Sequence, residues 1–125
     1  MLIRKATYFT PELQLENGIL RIIGKLWMEN PSKYFEKIFI YTKKSDSALF
    51  KVIMEVEHIN SSSSKQVLEY FKYLNELMKT GKFKQVHIQW KIVDKDEDLV
   101  TLIHDIEYIS ELNIEIITDS DAINN

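Results

Sequence analysis

At Ser62 the hydrophobic rhythm of the chain changes, and that change constrains the fold more than any other feature. Before it, the segment ALFKVIMEVEHI carries Leu49, Val52, Ile53, Met54 and Val56 in a nearly continuous apolar run. Such a run reads as a central strand covered on both faces or nearly so. After it, Val67, Leu68, Phe71, Leu74, Leu77 and Met78 recur at helical spacing as far as Gly81, a natural C-terminal stop. A strand that runs straight into a long amphipathic helix is half of a crossover unit, and it points to an α/β sheet.

The flanking segments extend this pattern. In PELQLENGILRII, Leu13 and Leu15 alternate ahead of Asn17-Gly18, and Ile19 resumes behind it. Asn-Gly tolerates the positive φ angles of a type I′ turn, so two antiparallel strands are expected, with Gly24 near the end of the second. In ENPSKYFEKIFIYTKK, Asn30 suits a helix cap and Pro31 the first helical position, with Tyr34, Phe35, Ile38 and Phe39 on one face. Ser45 to Ser47 reads as a loop. KQVHIQWKIV alternates Val86, Ile88 and Trp90 inward as a strand. DKDEDLVTLIHDIEYI opens with acids suited to a helix N-terminus and then sets Leu99, Leu102, Ile103, Ile106 and Ile109 on one face. NIEIIT is a final strand, and the tail beyond Thr118 is expected to be loose. The order ββ-α-β-α-β-α-β predicts a single domain over residues 1–125, with its core at about 8–118. Its mixed sheet has an N-terminal β-hairpin and about three packed helices.

Composition removes several functions. A net charge of −3 argues against general nucleic-acid binding, which needs excess Lys and Arg to release counterions. The lysines that do gather, Lys33, Lys37, Lys43 and Lys44, then Lys79, Lys82 and Lys84, read mainly as solvated faces. Without cysteine there is no disulfide framework and no thiolate zinc site. No apolar run approaches the ~20 residues of a membrane span, so a soluble, cytoplasmic protein that contacts no membrane is expected. The histidines His58, His87 and His104 match no metal spacing, and the only glycines, Gly18, Gly24 and Gly81, each fall at a turn or element end. No cofactor or metal is therefore expected. The acids Asp94, Asp96, Glu97 and Asp98 lack the glycine and terminal glutamate of a calcium loop. They are explained by helix charge complementarity or by a protein-contact surface.

The unusual stretch is HINSSSSKQ. Asn60 or Ser61 can cap the helix that follows, because either side chain accepts from exposed backbone N–H groups. One cap needs one such residue, yet five stand in a row from Asn60 to Ser64. A phosphate placed here adds about −1.5 to −2 charges at neutral pH. The positive end of a helix tolerates that charge, and Lys65, in the first turn, is a pairing partner.

Several spaced segments in this order resemble one family. FTPELQLENGILRIIGKLWMENPSKYF, the strand–HINSSSSK–helix segment and VHIQWKIVDKDEDL together look like the SiaC family of bacterial regulatory phosphoproteins, over nearly the whole chain from Thr10 to about Thr118. The resemblance implies a fold similar to STAS, the domain of anti-sigma-factor antagonists. There a Ser or Thr after an Asp at a strand-to-helix junction is phosphorylated. Carried onto Asn60-Ser61-Ser62, it makes Ser61 the phosphoacceptor. It further implies a dedicated Ser/Thr kinase, a metal-dependent Ser/Thr phosphatase, and an unphosphorylated form that binds and activates a diguanylate cyclase in cyclic-di-GMP signalling. The chain departs from the family pattern at Met28, where proline is common, and at Thr101 and Ile103, where Glu and Gly are usual.

Three readings follow. In the first, a non-enzymatic module is switched at Ser61, with Asn60, Ser62 and Lys65 as neighbours and Glu29, Asn30, Asp96, Glu97 and Asp98 as the rest of a partner surface. In the second, Ser61 or Ser62 acts with His58 in a small hydrolase, for which no orienting acid is identifiable. In the third, a STAS-like domain binds its partner or ligand constitutively, and the serines are only a helix cap.

Overall fold

The computed structural model describes residues 2–7, 10–92 and 96–118. Six strands form one sheet in sequence order: β1 (Leu2–Arg4), β2 (Glu12–Glu16), β3 (Ile19–Leu26), β4 (Leu49–Ile59), β5 (Gln85–Ile92) and β6 (Ile114–Thr118). The first three are antiparallel, and β3 through β6 are parallel. Helices α1 (Ser32–Lys44), α2 (Ser61–Lys79) and α3 (Glu97–Ser110) connect successive parallel strands. The tail beyond Thr118, expected to be loose, and Asp94 of the acidic cluster lie outside the described residues.

The hairpin forms where Asn17-Gly18 requires it. Both residues have positive φ, 50° and 79°, and Glu16 pairs with Ile19 across the turn. A side chain at Gly18 would collide with Ser47 of the α1–β4 loop, so this glycine is fixed by space as well as by φ. β1 precedes the hairpin and was not expected, because three residues are too few to show a period.

Every parallel connection steps to the next strand in the same direction. Right-handed crossovers then put all three helices on one face of the sheet. α2 lies in the middle of that layer, in contact with both α1 and α3. The core between the layers includes Leu20, Ile22, Phe50, Val52, Met54, Val56, Ile88 and Trp90 from the sheet. Phe35, Ile38, Val67, Tyr70, Phe71, Leu74 and Ile103 face them from the helices. Two of its polar groups are paired. Trp90 Nε1 donates to Val56 O at 3.0 Å, and the Tyr70 hydroxyl lies 2.7 Å from Thr42 Oγ1. Burial pushes the Tyr70 phenol above its ordinary range.

β4 is accordingly covered on one face only, not on both. Its other face presents Lys51 and Glu55, and Ile53 is buried there because Arg21 and Gln89, its cross-strand neighbours, shield it with long side chains. The open face is a polar lattice. Lys91 pairs with Glu55 at 3.3 Å, and Glu115 accepts from Gln89 at 2.9 Å and lies 3.1 Å from His87 Nε2. Hydrogen bonds to Gln89 and then to His87 hold the Glu115 carboxyl below the usual carboxylate range. Two residues expected in the core are exposed: Leu49, at the very start of β4, and Ile109, in the last turn of α3.

One irregularity bears on the site. Gly24 pairs with Val56, but Lys25 pairs with His58, so β4 carries one extra residue, Glu57, in a bulge. Gly24 adopts φ 128°, a conformation that residues with a side chain rarely adopt. The ladder then resumes with Leu26 opposite Ile59.

Candidate functional site: the start of α2

The parallel ladder runs to the last residue before the helix. Asn60 N–H donates to Leu26 O at 3.0 Å, which holds Asn60 extended at φ −90° and ψ 171°. Ser61 is therefore the first helical residue and Asn60 the cap, which resolves the choice between them. Asn60 Oδ1 accepts from Ser63 N–H at 3.0 Å, and Asn60 Nδ2 donates to Met28 O at 3.0 Å. Only an amide side chain performs both tasks. A serine lacks the reach, and an aspartate has no proton for the Met28 carbonyl.

The four serines are sorted by position. Ser62 Oγ is within 3.3 Å of Met28 O and 3.4 Å of Asn60 Oδ1, so its proton is committed to this junction. Ser63 is fully buried, with no hydrogen-bond partner for its Oγ among the described residues. Ser64 Oγ donates to Ser61 O at 2.8 Å. Ser61 is the exposed one, and its hydroxyl makes no hydrogen bond among the described residues.

The electrostatics favour an anion at this position. The N-terminus of an α-helix carries roughly half a positive charge, and α2 has no acidic residue in its first turn to offset it. Lys65, expected in the first turn, falls one turn later because the helix begins at Ser61. Four residues separate it from Ser61, so both exposed side chains share a face.

The other expected surface residues gather at the same end of the sheet. β3, β4 and β5 are parallel, so the starts of α1, α2 and α3 line up along their C-terminal ends. Glu29 and Asn30 are exposed on the β3–α1 connection, directly after the Met28 carbonyl that Asn60 and Ser62 hold. Asn30 does not cap α1. Phe35 N–H already bonds to Pro31 O, so Asn30 stands one position too early, and its Oδ1 accepts from Ser32 Oγ at 2.7 Å instead. Asp96 caps α3 by accepting from Leu99 N–H at 3.0 Å, with Glu97 and Asp98 exposed in the first turn. Among the described residues, no hydrogen bond or ion pair links the α3 acids to Ser61.

Among the described residues no catalytic grouping forms around the serines. His58 is exposed, and no hydrogen bond joins it to Ser61 or Ser62 among the described residues. His104 lies beside Glu107 at 3.6 Å on the outside of α3. No three His, Cys, Asp or Glu side chains among the described residues converge on a metal position. Nor is any helix there long and apolar enough to cross a membrane.

Sequence reasoning missed two residues here. Met28 contributes through its backbone carbonyl, which no side-chain pattern announces. Trp27, half-exposed beside it, was passed over because it belongs to neither the strand nor the helix.

Fold and site together define a small α/β domain that displays one hydroxyl at a strand-to-helix junction. The chain belongs to the SiaC family of regulatory phosphoproteins, whose family model matches residues 4–119. Among the solved structures that share the fold are two from Pseudomonas aeruginosa. One is the crystal structure of the diguanylate cyclase SiaD in complex with its activator SiaC from Pseudomonas aeruginosa. It has a TM-score of 0.81 and 20% identity, covering 94% of this chain and 98% of that one. The other is apo-SiaC from Pseudomonas aeruginosa, with a TM-score of 0.75 and 18% identity over 91% of this chain and 95% of that one. No curated protein matches the chain in sequence.

Proposed function

We propose that this chain is a non-enzymatic, cytoplasmic signalling protein switched by reversible phosphorylation of Ser61. A Ser/Thr kinase transfers the terminal phosphoryl group of a nucleoside triphosphate to Ser61 Oγ, which gives up its proton. A metal-dependent phosphatase returns the hydroxyl and releases inorganic phosphate with the help of water. The unphosphorylated form binds and activates an output protein, a diguanylate cyclase, and so controls cyclic-di-GMP synthesis.

The observation that carries this reading is the sorting of the hydroxyls. Of the run from Asn60 to Ser64, Ser61 alone is both exposed and uncommitted. The cap is made by Asn60, so Ser61 is not required for it. Family membership supports the phosphoprotein role, and the relative solved as activator of a cyclase supports the output. The phosphate would sit at a positive helix end with Lys65 one turn away, so the fold tolerates it. A partner surface matched to a neutral hydroxyl would instead meet a dianion that must be desolvated. A hundredfold loss of affinity corresponds to about 2.7 kcal/mol.

The test is intact-mass analysis with fragmentation of the chain from its own cells, followed by partner binding. A single phosphate on Ser61, and loss of cyclase binding in Ser61→Asp but not Ser61→Ala, is the expected result. Absence of phosphate in every growth condition, with Ser61→Asp binding like wild type, would leave a constitutive binding domain instead.

A further inference from the structure

We infer that Trp27 is the anchor by which the output cyclase grips this end of the sheet, and that the Met28 carbonyl couples it to Ser61. This rests on the reading above and names the contact through which the switch is felt.

The two tryptophans of the chain have opposite fates. Trp90 is fully buried, with its indole N–H bonded to Val56 O, whereas Trp27 is 51% exposed. Its neighbours are drawn inward, Leu26 completely and Met28 partly. Among the described residues the Trp27 ring has no aromatic partner and its N–H no acceptor. A half-exposed indole on a fixed backbone is the residue type that dominates protein interfaces, because it supplies large apolar area for little lost side-chain freedom.

The backbone here is fixed by the phosphosite. Asn60 Nδ2 and Ser62 Oγ both donate to Met28 O, and Asn60 N–H donates to Leu26 O, so the residues on either side of Trp27 are tied to the α2 start. Ser61 lies between the two donor residues. A phosphate on its Oγ brings three strong acceptor oxygens and competes for the donors now spent on Met28. The tether loosens and the indole loses its set position. The cyclase, whose matching feature is an apolar pocket for that indole, loses both a neutral surface and a pre-organised anchor.

The chain offers a direct readout, since biosynthetic 5-fluorotryptophan gives two fluorine resonances, assigned with Trp27→Phe. The probe is the unlabelled diguanylate cyclase that co-purifies with the chain, identified by mass spectrometry and expressed separately. On binding, the Trp27 resonance shifts or broadens while that of Trp90 stays in place. Phosphorylation of Ser61 moves the Trp27 resonance without any partner and abolishes its response to the cyclase. Trp27→Ala weakens cyclase binding about a hundredfold while the kinase still modifies Ser61. An unmoved Trp27 resonance at saturating cyclase overturns the anchor but leaves the Ser61 switch standing. A Trp27 resonance that responds to binding but not to phosphorylation overturns the coupling. Cyclase binding indifferent to phosphate, or no cyclase recovered at all, brings down the proposed function and this inference together.

Discussion

The starts of α2 and α3 lie at the same end of one sheet and meet the same electrical demand in different ways. α3 has a carboxylate cap, Asp96, and two further acids, Glu97 and Asp98, in its first turn. Fixed negative charge complements its dipole permanently. α2 has a neutral amide cap, no acid in its first turn and a displayed hydroxyl at its first position. Its charge complement is absent until chemistry supplies one. What separates a structural helix start from a candidate switch is thus the side chain left over once the backbone donors are served, while the cap geometry is shared: Asn60 Oδ1 to Ser63 N–H and Asp96 Oδ1 to Leu99 N–H are both 3.0 Å.

The comparison breaks most readily at function. Phosphorylating Ser61 is expected to cut cyclase affinity by about 2.7 kcal/mol while the thermal midpoint holds or rises. Neutralising the other helix start with Glu97→Gln and Asp98→Asn, whose acids are expected on the same partner surface, should cost less, about 0.2–1 kcal/mol each, the usual worth of an exposed charge pair. Calorimetric titration of both proteins decides it, and equal losses would remove the distinction between the two ends.

Removing the caps tests stability. Asp96→Ala should cost about 0.5–2 kcal/mol, the usual value of a cap. Asn60→Ala should cost more, about 2–3 kcal/mol, because it also takes a donor from the Met28 carbonyl. Asn60→Asp keeps the cap but not that donor, and its urea midpoint is expected between those of wild type and Asn60→Ala. If Asn60→Asp matched wild type in high salt, where the dipole gain of the new carboxylate is screened, the Met28 tether would have no energetic weight.

Smaller still is the dipole itself. Glu97→Gln and Asp98→Asn should each destabilise by about 0.3–1 kcal/mol, and Ser61→Asp should stabilise by a similar amount, all shrinking in high salt. Urea melts at low and high ionic strength check the signs. The least effect belongs to a site remote from both helix starts. The folded-state carboxyl of Glu115 is held below its ordinary range, so its contribution is full above the unfolded value and is lost as pH falls through the lower folded value. Glu115→Gln should therefore flatten slightly the acid limb of stability against pH, with no change at neutral pH in the difference between Asn60 and Asp96 variants.

Much of this was legible in the chain before any coordinates. Asn17-Gly18 announces the hairpin because few dipeptides accept two positive φ angles, and the helices show in apolar spacing. Other features depend on pairings between distant segments. The cap was ambiguous between Asn60 and Ser61 because both are good acceptors. The ladder to Leu26 decides it by keeping Asn60 extended. The apolar run of β4 suggested two covered faces, but Ile53 is shielded by Arg21 and Gln89 in register instead of by a second helical layer. Asn30 looked like a cap until Pro31 proved to accept the first helical bond. The role of Met28 rests on a carbonyl oxygen, 32 and 34 residues from its donors, and composition carries no trace of it.

The bulge at Glu57 has a consequence for all of this. A strand is a two-beat pattern, and in β4 the even-numbered residues from Phe50 to Val56 face the helices. Continued without interruption, that beat would send His58 inward. The spare residue inverts it, so that Glu57 and His58 both face solvent and Ile59 packs against the core. Everything downstream inherits the new phase, including the direction in which Asn60 reaches for Met28 and the side on which α2 begins. Which serine the protein displays is therefore set by an offset upstream of the serines, at a residue that takes no part in the junction's hydrogen bonds.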